Sequence, residues 1–321
     1  MRMPGKSIRQ TLIVFLLIVA LTPYGSCASE TEGLLVSIPV STALLDNPTV
    51  SYLGPQGTYT EEAAKAFFTS GDFMPKDSVP DAIADVIAGA ADYAVIPQEN
   101  TLGGAVTNYI DALIAAQDLY VIGEVILPIS QTLMALPGAS IDDIETVCSH
   151  AQGIAQSAAW RKEHLPNAIT QEMGSTAAAA SYVSESGDKT LAAIAAPAAA
   201  ELYGLSVLAE NVQITDANKT RFYVLSSSRL KEDGQTNAVF VASCEANRID
   251  DIIVAIHNSG LELVTIHDRP EGSRLGTYHY VIEVENTSGL SDDVLSMLND
   301  IEEADFRGSF RVKTIEAEQG Q

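Results

Sequence analysis

Two turns in the first third of the chain combine glycines with polar side chains in positions that can hold a small anion. The segment Gly54–Thr58 follows a β-branched run and precedes a helical pattern, so its backbone N–H groups and the hydroxyl of Thr58 can bind an anion. Glu99 and Asn100 follow a second apolar run, ahead of Gly103. Polar residues at the carboxyl end of a strand lie where ligands bind in open α/β sheets. The structural alternative for both is a tight turn that needs glycine for a positive φ.

Polar side chains also occur at two predicted helix starts in the middle of the chain. His150 precedes one helix and can polarise a bound substrate, although a lone histidine is more often a structural hydrogen-bonding residue. Ser175 and Thr176 open an alanine-rich helix, and capping that helix is a sufficient role for both. Helix capping and ligand binding therefore both stay open at these positions.

A predicted strand from Thr220 to Leu225 begins with a hydroxyl and a guanidinium group side by side. Since neighbouring side chains on a strand point to opposite faces, Thr220 and Phe222 share one face and Arg221 takes the other. Arg221 can pair either with a substrate carboxylate or with an acidic side chain that fixes the strand. The geometry favours the structural role.

Six short segments that include these residues resemble the prephenate dehydratase family in order and spacing. They are Tyr52–Thr60, Pro97–Gly104, Ser149–Gln152, Ser175–Ala177, Ala200–Leu205 and Asn218–Phe222. The resemblance runs from about Ser51 to Ser226. Thr101 replaces the family's serine and keeps a hydroxyl, while Ala151 replaces a proline at the first turn of a helix and removes no reacting group.

The resemblance implies a carbon–oxygen lyase that needs no cofactor. A cyclohexadiene loses CO2 from a ring carboxylate and water from its 4-hydroxyl, and aromatisation drives the reaction. Thr220 is then the catalytic donor to the departing hydroxyl. The implied substrate-binding residues are Thr58, Glu99, Asn100, Thr101, Gly103, Ser149, His150, Gln152, Ser175, Thr176, Arg221 and Phe222. Prephenate, giving phenylpyruvate, is the favoured substrate, and arogenate, giving phenylalanine, is the close alternative.

The last part of the chain resembles an ACT-type regulatory domain through Gly260–Leu263 and His267–Pro270. In that family phenylalanine binds between paired domains, partly through the second of these segments. The resemblance therefore makes Leu261, Arg269 and Pro270 the candidate allosteric residues.

One departure weakens this regulatory expectation. The family's glycine-containing turn before the first helix is replaced by Glu245–Ile249, and a side chain there would crowd a small ligand. We expect the domain to serve chiefly in oligomerisation, with weak or lost feedback by phenylalanine. The family generally forms dimers or tetramers, so a homodimer or homotetramer is expected.

Alternating strand and helix patterns from Val50 onward predict an α/β fold, and the resemblance implies two lobes around a cleft, as in periplasmic binding proteins. After a polar linker near Ser226–Gln235 the predicted order is βαββαβ, the ferredoxin-like arrangement. The predicted boundaries are a tether over residues 29–48, a catalytic domain over 49–227 and an ACT domain over 236–316. Later elements include helices over Gln152–Glu163 and Ser291–Ala304 and a last strand over Phe310–Ile315.

A non-catalytic, exported solute-binding protein has the same two-lobed layout and is the alternative from another functional class. Thr220–Phe222 together with Glu99 and Asn100 argues against it, because a receptor would not need this set.

Length and charge narrow the classes of partner. The 321 residues suit two domains, and 46% hydrophobic with 19% charged residues is typical of a globular protein. A formal net charge of -24 argues against nucleic acid or an anionic membrane as a partner. It also repels an anionic substrate at long range, so hydroxyls, backbone N–H groups and the few cations must build an anion site locally.

The first 28 residues have the three parts of a secretory signal: basic residues, the apolar run Leu12–Leu21 and small residues up to Ala28. The apolar run is too short to span a bilayer comfortably. We expect cleavage near Ala28 and export to the periplasm or outside the cell. The alternatives are a lipoprotein acylated at Cys27, an uncleaved anchor and an organelle-targeting presequence.

The other cysteines, Cys148 and Cys244, fall in different predicted domains and are expected to be small buried side chains. The histidines are scattered and no Cys/His cluster has metal-ligand spacing. A metal site is not expected.

Overall fold

The computed structural model describes residues 39–215, 217–291, 294 and 304–316. The strands are β1 Val40–Ser41, β2 Thr49–Leu53, β3 Asp72–Lys76, β4 Tyr93–Asn100, β5 Gly104–Ala105, β6 Tyr120–Pro128, β7 Thr132–Ala135, β8 Thr146–Ser149, β9 Ile169–Glu172, β10 Leu191–Ala195, β11 Ser206–Ala209, β12 Lys219–Ser226, β13 Arg229–Leu230, β14 Asn237–Glu245, β15 Glu262–Pro270, β16 Thr277–Glu285, β17 Ala304–Phe310 and β18 Val312–Thr314. The helices are α1 Tyr59–Phe67, α2 Val79–Ile87, α3 Thr107–Ala115, α4 Ala151–Gln156, α5 Ala158–His164, α6 Thr176–Ser186, α7 Ala198–Leu202 and α8 Ile249–Asn258, with short 3-10 turns at Ile141–Asp143 and Ala246–Arg248.

The first lobe is built on a sheet with the strand order β18-β6-β12-β4-β2-β3, and β5 pairs with β4. Strands β2, β3 and β4 are parallel, whereas β12 runs antiparallel between β4 and β6. Alternate residues of β12 enter different cores: Phe222 and Val224 pack on one side, and Tyr223 and Leu225 on the other. Because both faces of the sheet are covered, its central strands contain long apolar runs such as Phe222–Leu225.

The second lobe holds the sheet β11-β7-β10-β8-β9, with helices α4 to α7 in its connections. The single helix expected over Gln152–Glu163 is in fact two, α4 and α5, which meet at Ser157. The Ser157 hydroxyl donates to the Gly153 carbonyl at 2.7 Å, a side-chain bond that competes with the helical backbone pattern. Two connections run between the lobes, one after β6 and one before β12, and the Ile129 N–H donates to the Asn218 carbonyl to join them.

The C-terminal domain contains the antiparallel sheet β15-β16-β14-β17, covered by α8. Its first and third strands, β14 and β16, are central, as in a ferredoxin-like fold. The helix expected over Ser291–Ala304 lies almost wholly outside the described residues. The fold class expected from the sequence, two α/β lobes followed by this domain, is confirmed.

The end of the chain differs from the expected last strand over Phe310–Ile315. Strand β17 ends at Phe310, and β18 leaves the C-terminal domain to pair in parallel with β6 of the first lobe. Phe310 is buried in the core shared with the first lobe, which also contains Val239 and Val281. This shared core packs the domain directly on the first-lobe sheet.

Short strands also occur in segments predicted to be irregular. Strand β1 lies in the expected tether and β13 in the expected linker, and the two pair in parallel. Two-residue strands carry no periodic pattern, so the sequence gives no sign of them. Cys148 and Cys244 are both buried, each in the core of its own domain. No helix among the described residues is long and apolar enough to cross a membrane.

Candidate active site

Three strand ends of the first lobe meet at one edge of its sheet. The carboxyl ends of the parallel strands β2 and β4 lie beside the start of the antiparallel strand β12, and Thr220 is paired in register with Asn100. Since neighbouring strands lie about 4.8 Å apart, the turn after β2 is about 10 Å from Thr220 along this edge. The first-lobe residues Thr58, Asn100 and Thr220, which were candidates from the sequence, therefore lie along this edge.

The side chain of Asn100 fixes the direction of the hydrogen bond between it and the Thr220 hydroxyl. Its amide nitrogen donates to the Thr220 hydroxyl oxygen and to the Asn218 side-chain oxygen, each at 2.9 Å. Its amide oxygen accepts from the backbone N–H groups of Leu102 at 3.0 Å and Gly103 at 2.9 Å. Because backbone N–H groups can only donate, they fix which end of the amide faces Thr220. The Thr220 oxygen thus accepts a bond, and its own proton is available to another group.

Helix α4 of the second lobe reaches across to the same residues. The Gln152 amide nitrogen donates to the Asn100 side-chain oxygen at 2.9 Å, and the Asn218 amide donates to the Gln156 side-chain oxygen at 3.1 Å. Residues four apart lie on one helix face, so one face of α4 makes both contacts. The two lobes meet along this line of amides, beside Thr220.

The amino ends of two second-lobe helices carry the remaining predicted residues. His150 caps α4, its ring nitrogen accepting from the Gln152 N–H at 3.4 Å, and the Ser175 hydroxyl caps α6 by accepting from the Ala178 N–H at 3.0 Å. Thr176 is the first residue of α6, next to Gly153 of α4. Ser175 thus has the capping role expected as an alternative and His150 makes a structural hydrogen bond, whereas Thr176 does not cap. The amino ends of these helices also supply a positive field for an anion.

Ser149 is fully buried, and its hydroxyl donates to the Ile194 carbonyl at 2.7 Å. A side chain at Gly153 would collide with that hydroxyl, so the glycine allows α4 to lie close to the end of β8. Ser149 packs beneath the first turn of α4, against Gly153, and has no exposed surface that could contact a substrate.

The turn after β2 forms a second contact between the two lobes. Thr58 caps α1 and its hydroxyl donates to the Leu53 carbonyl at 3.2 Å. From the second lobe the Tyr203 hydroxyl donates to the Gln56 carbonyl at 2.7 Å. Gly57 has a φ of 80°, a conformation that favours glycine, and an added β-carbon would lie 3.0 Å from the Leu202 side chain.

Thr101 supports the site from its exposed position beside β12. Its hydroxyl donates to the Lys219 carbonyl at 3.0 Å and accepts from the Lys219 N–H at 3.1 Å. These bonds tie the loop after β4 to the start of β12. The hydroxyl that Thr101 shares with the family's serine thus has a structural use.

Arg221 and Phe222 lie away from this line of amides. Arg221 donates to Glu124 and to Glu283 and lies 3.6 Å from Glu99. Phe222 is 1% exposed and packs in the core with Tyr52. Thr220 and Arg221 therefore have separate partners, as strand alternation requires. Glu99 likewise is engaged with Arg221.

Burial governs the ionisation of the acids around Arg221. Desolvation raises the pKa of Glu124, Glu283 adds to the effect by repulsion, and the hydrogen bond from Arg221 opposes it. Burial disfavours the charged form of Arg221, but the bond to Glu124 and the charges of Glu283 and Glu124 outweigh this and raise the pKa of the guanidinium group. Arg221 therefore stays charged as the centre of a buried cluster.

The three candidate allosteric residues have different surroundings. Leu261 is 1% exposed in the core of the C-terminal domain. Arg269 makes a two-pronged ion pair with Asp111 of α3, at 2.5 and 2.9 Å, and Pro270 ends β15. The guanidinium group of Arg269 is thus held by the first lobe in this structure.

Two residues that take part in the line of amides, Asn218 and Gln156, were not among the candidates from the sequence. Asn218 opens the last of the six matching segments, and Gln156 lies one helical turn beyond Gln152, so their spacing was the available signal. Within the described residues no group of histidine, cysteine and acidic side chains could hold a metal ion.

Fold and site together define a two-lobed α/β protein whose lobes meet beside a hydroxyl–amide pair and the amino ends of two helices. Comparison with known proteins specifies the family. The family model described as prephenate dehydratase matches residues 50–230. The chain belongs to the prephenate dehydratase family, whose reaction converts prephenate to phenylpyruvate in phenylalanine biosynthesis.

Two curated relatives and one solved structure illustrate the similarity. The bifunctional chorismate mutase/prephenate dehydratase of Neisseria gonorrhoeae is 37% identical over 240 residues, which is 74% of this chain and 66% of that protein. The chain thus spans about two thirds of the bifunctional relative. The prephenate dehydratase of Lactococcus lactis is 33% identical over 244 residues, 74% of this chain and 86% of that protein.

The solved structure is that of prephenate dehydratase from Arthrobacter aurescens in complex with L-Phe. It is 32% identical and superimposes with a TM-score of 0.73 over 82% of this chain and 89% of that chain. The match covers more of the chain than the family model does, so it includes residues outside 50–230.

Proposed function

We propose that this chain catalyses the decarboxylating dehydration of prephenate to phenylpyruvate, with Thr220 as donor to the departing hydroxyl. The observation that carries the role of Thr220 is the bond from the Asn100 amide to the Thr220 oxygen at 2.9 Å. This bond occupies the acceptor side of the hydroxyl and polarises its O–H group. The proton of Thr220 is then directed to a ligand instead of to the protein.

The reaction needs one electron pair to move across the substrate ring. The bond between the ring and its carboxylate breaks, CO2 leaves, and the electron pair enters the ring. The C–O bond to the 4-hydroxyl breaks at the far side, and this oxygen takes up a proton supplied by solvent and leaves as water. A hydroxyl is a weak acid, so Thr220 acts mainly by hydrogen bonding to the oxygen as its charge develops. Aromatisation supplies the driving force.

Two carboxylates of the substrate must be held by a protein of strongly negative charge. The amino ends of α4 and α6 supply N–H groups and positive helix dipoles, with His150 and Thr176 beside them. Lys219 is exposed next to Thr220 and adds a cation. These local groups act at short range, where a nearby dipole or charge outweighs the screened field of distant acids.

The decisive experiment assays purified protein lacking residues 1–28 with prephenate and with arogenate in parallel. Release of phenylpyruvate from prephenate supports the proposal. Preference for arogenate would show that the same elimination acts on the transaminated compound. Tight binding of either compound without turnover would overturn the enzymatic role and favour a solute-binding protein.

Three further proposals concern the rest of the chain. The C-terminal domain is of the ACT type, supported by its strand order and by its segments Gly260–Leu263 and His267–Pro270. The protein assembles as a homodimer or homotetramer. The segment 1–28, which lies outside the described residues, directs export and is removed, with acylation at Cys27 as the alternative outcome.

A further inference from the structure

A buried charge cluster joins the C-terminal domain to the sheet that carries the active site. The guanidinium group of Arg221 donates to both oxygens of Glu124, the longer bond being 2.9 Å, and to both oxygens of Glu283 at 2.7 Å. Both carboxylates are fully buried. Glu283 belongs to β16 of the C-terminal domain, so this domain supplies half of the direct carboxylate bonds to Arg221.

Strand register relates this cluster to the catalytic pair. In the ladder between β12 and β4, Thr220 is opposite Asn100 and the next pair is Arg221 opposite Glu99. Thr220 and Asn100 are hydrogen-bonded to each other, while Arg221 and Glu99 form an ion pair at 3.6 Å. Thr220 and Asn100 therefore each have, one position along the same strand, a residue that is tied to the cluster.

Glu283 is itself held from two sides. The Tyr223 hydroxyl donates to it at 2.6 Å, and the Asn237 amide donates at 3.0 Å. Tyr223 lies on β12, two residues beyond Arg221. Glu283 thus contacts β12 through two side chains and can restrain the position of that strand relative to the C-terminal domain.

The geometry points to Glu283 as a positioning residue for the reaction: through Arg221 it holds β12 in the position that brings the Thr220 hydroxyl onto the Asn100 amide. This inference rests on the proposed function. It makes the C-terminal domain part of the apparatus that orders the active site. Small displacements of a donor matter, because a misplacement of about 1 Å can reduce turnover by about 100-fold.

The test compares Glu283→Gln with Asp111→Asn in the full protein. The glutamine keeps the size and an oxygen acceptor but removes the charge that fixes Arg221. The control breaks the ion pair between Asp111 and Arg269, which joins the same two domains without a hydrogen bond to β4 or β12. We expect kcat to fall about 10-fold in Glu283→Gln with little change in KM, and to stay within about twofold of wild type in the control.

Thermal melting of both variants distinguishes an effect of Glu283 on the position of β12 from an effect on the stability of the contact between the domains. If Glu283→Gln keeps the wild-type kcat while its melting temperature falls, the residue is only structural and the inference is wrong. If this variant does not fold, Tyr223→Phe decides, since it removes one bond to Glu283 together with the long 3.4 Å bond that Gln98 donates to the same hydroxyl. We expect a fall of about two- to fivefold in kcat, and an unchanged kcat overturns the inference. Wild-type turnover is measured first, because its absence refutes the proposed function and not this inference.

Discussion

At the scale of single residues, the hydroxyl of Thr220 is set apart by its surroundings. It is 8% exposed, accepts a bond from Asn100, and lies beside the line of amides where the two lobes meet. In such a partly desolvated place a hydrogen bond to developing charge is stronger than in water. The catalytic role of Thr220 therefore depends on one donor hydrogen and on little else in its side chain.

Replacing Thr220 with alanine should remove most turnover while leaving the fold intact. The change deletes the donor to the leaving hydroxyl and vacates little volume, and such assistance is typically worth about 10²–10⁴ in rate. Steady-state kinetics with prephenate, together with a thermal melt, measures the effect. Thr220→Ser is the matched control, because it keeps the hydroxyl and should retain much of the activity. A Thr220→Ala enzyme with more than about a tenth of wild-type kcat would exclude this role.

The sequence could predict which residues lie where the two lobes meet, but not the hydrogen bonds between them. Thr220 and Asn100 were selected because each belongs to a recognisable segment. The bond between them depends on antiparallel pairing of β12 with β4, which brings residues 120 positions apart together. Gln156 escaped selection because its bond from Asn218 arises only when the second lobe docks on the first. Asn218 escaped it because its bond from Asn100 likewise joins residues far apart in the sequence.

At the scale of elements, the sheet of the C-terminal domain and that of the first lobe enclose ionisable groups. Glu124 of β6 faces Arg221 and Tyr223 of β12 and Glu283 of β16, and Arg221 in turn lies 3.6 Å from Glu99 of β4. Burial raises the pKa of Glu124 to about 7 and the neighbouring Glu283 adds to this, against the bond from Arg221. The native protein therefore holds this proton more tightly than the unfolded chain does.

This raised pKa predicts a loss of stability as the pH rises. The stabilising contribution is full below the ordinary pKa of 4.5 and is lost between there and about pH 7. The change is roughly 3 kcal/mol, since each unit of pKa corresponds to about 1.4 kcal/mol. Urea unfolding between pH 4 and pH 8 measures it, with Glu124→Gln as the comparison. The variant should lose less stability than wild type across this range, and equal slopes would contradict the assignment.

The close contact between β17 and β6 leads to a prediction about stability. Gly308 has a φ of 122°, and a β-carbon there would collide with the Val121 backbone. Gly308→Ala should destabilise the protein by about 1–3 kcal/mol more than Gly260→Ala, owing to overpacking. The control position has a φ of 76° with nothing within 4 Å of an added β-carbon, so it carries the backbone strain alone. Chemical unfolding of both variants tests this, and equal losses would show that the strands can separate at little cost.

Elements with a strong pattern were predictable, and those created by tertiary contacts were not. The apolar run of β4 and the capped start of α1 carry clear signals. The break between α4 and α5 depends on the Ser157 hydroxyl bonding to the Gly153 carbonyl, and β18 depends on an exposed edge of β6. Patterns along the chain do not contain these long-range partners.

At the scale of the whole molecule, the proposed export leads to a prediction about the N-terminal segment. We predict that residues before Ser29 are absent from the mature protein, because a basic start, an apolar run and small residues near Ala28 are what signal peptidase recognises. Mass spectrometry of protein recovered from its native host measures the mature mass. A soluble full-length chain would contradict export, while a mature chain that begins at acylated Cys27 would identify a lipoprotein.

Regulation is the second property of the whole molecule, and the structure adds a reason for the expected loss of phenylalanine feedback. The segment that replaces the glycine turn lines an open cavity of about 470 Å³, and its Glu245 pairs with Arg274. Arg269, the retained part of the second binding segment, is paired with Asp111 of the first lobe. Both segments are therefore engaged in contacts within the chain.

We therefore expect phenylalanine to bind weakly and to inhibit little. A ligand would have to displace the side chain that stands where a glycine would admit it. Calorimetric titration of phenylalanine into the purified protein, paired with activity at each ligand concentration, measures both effects. Asp111→Asn is the informative companion, because it releases Arg269 without altering either binding segment. Tighter binding in that variant would show that the ion pair itself blocks the site. Micromolar binding with inhibition in the wild type would show that Glu245–Ile249 still forms a competent turn.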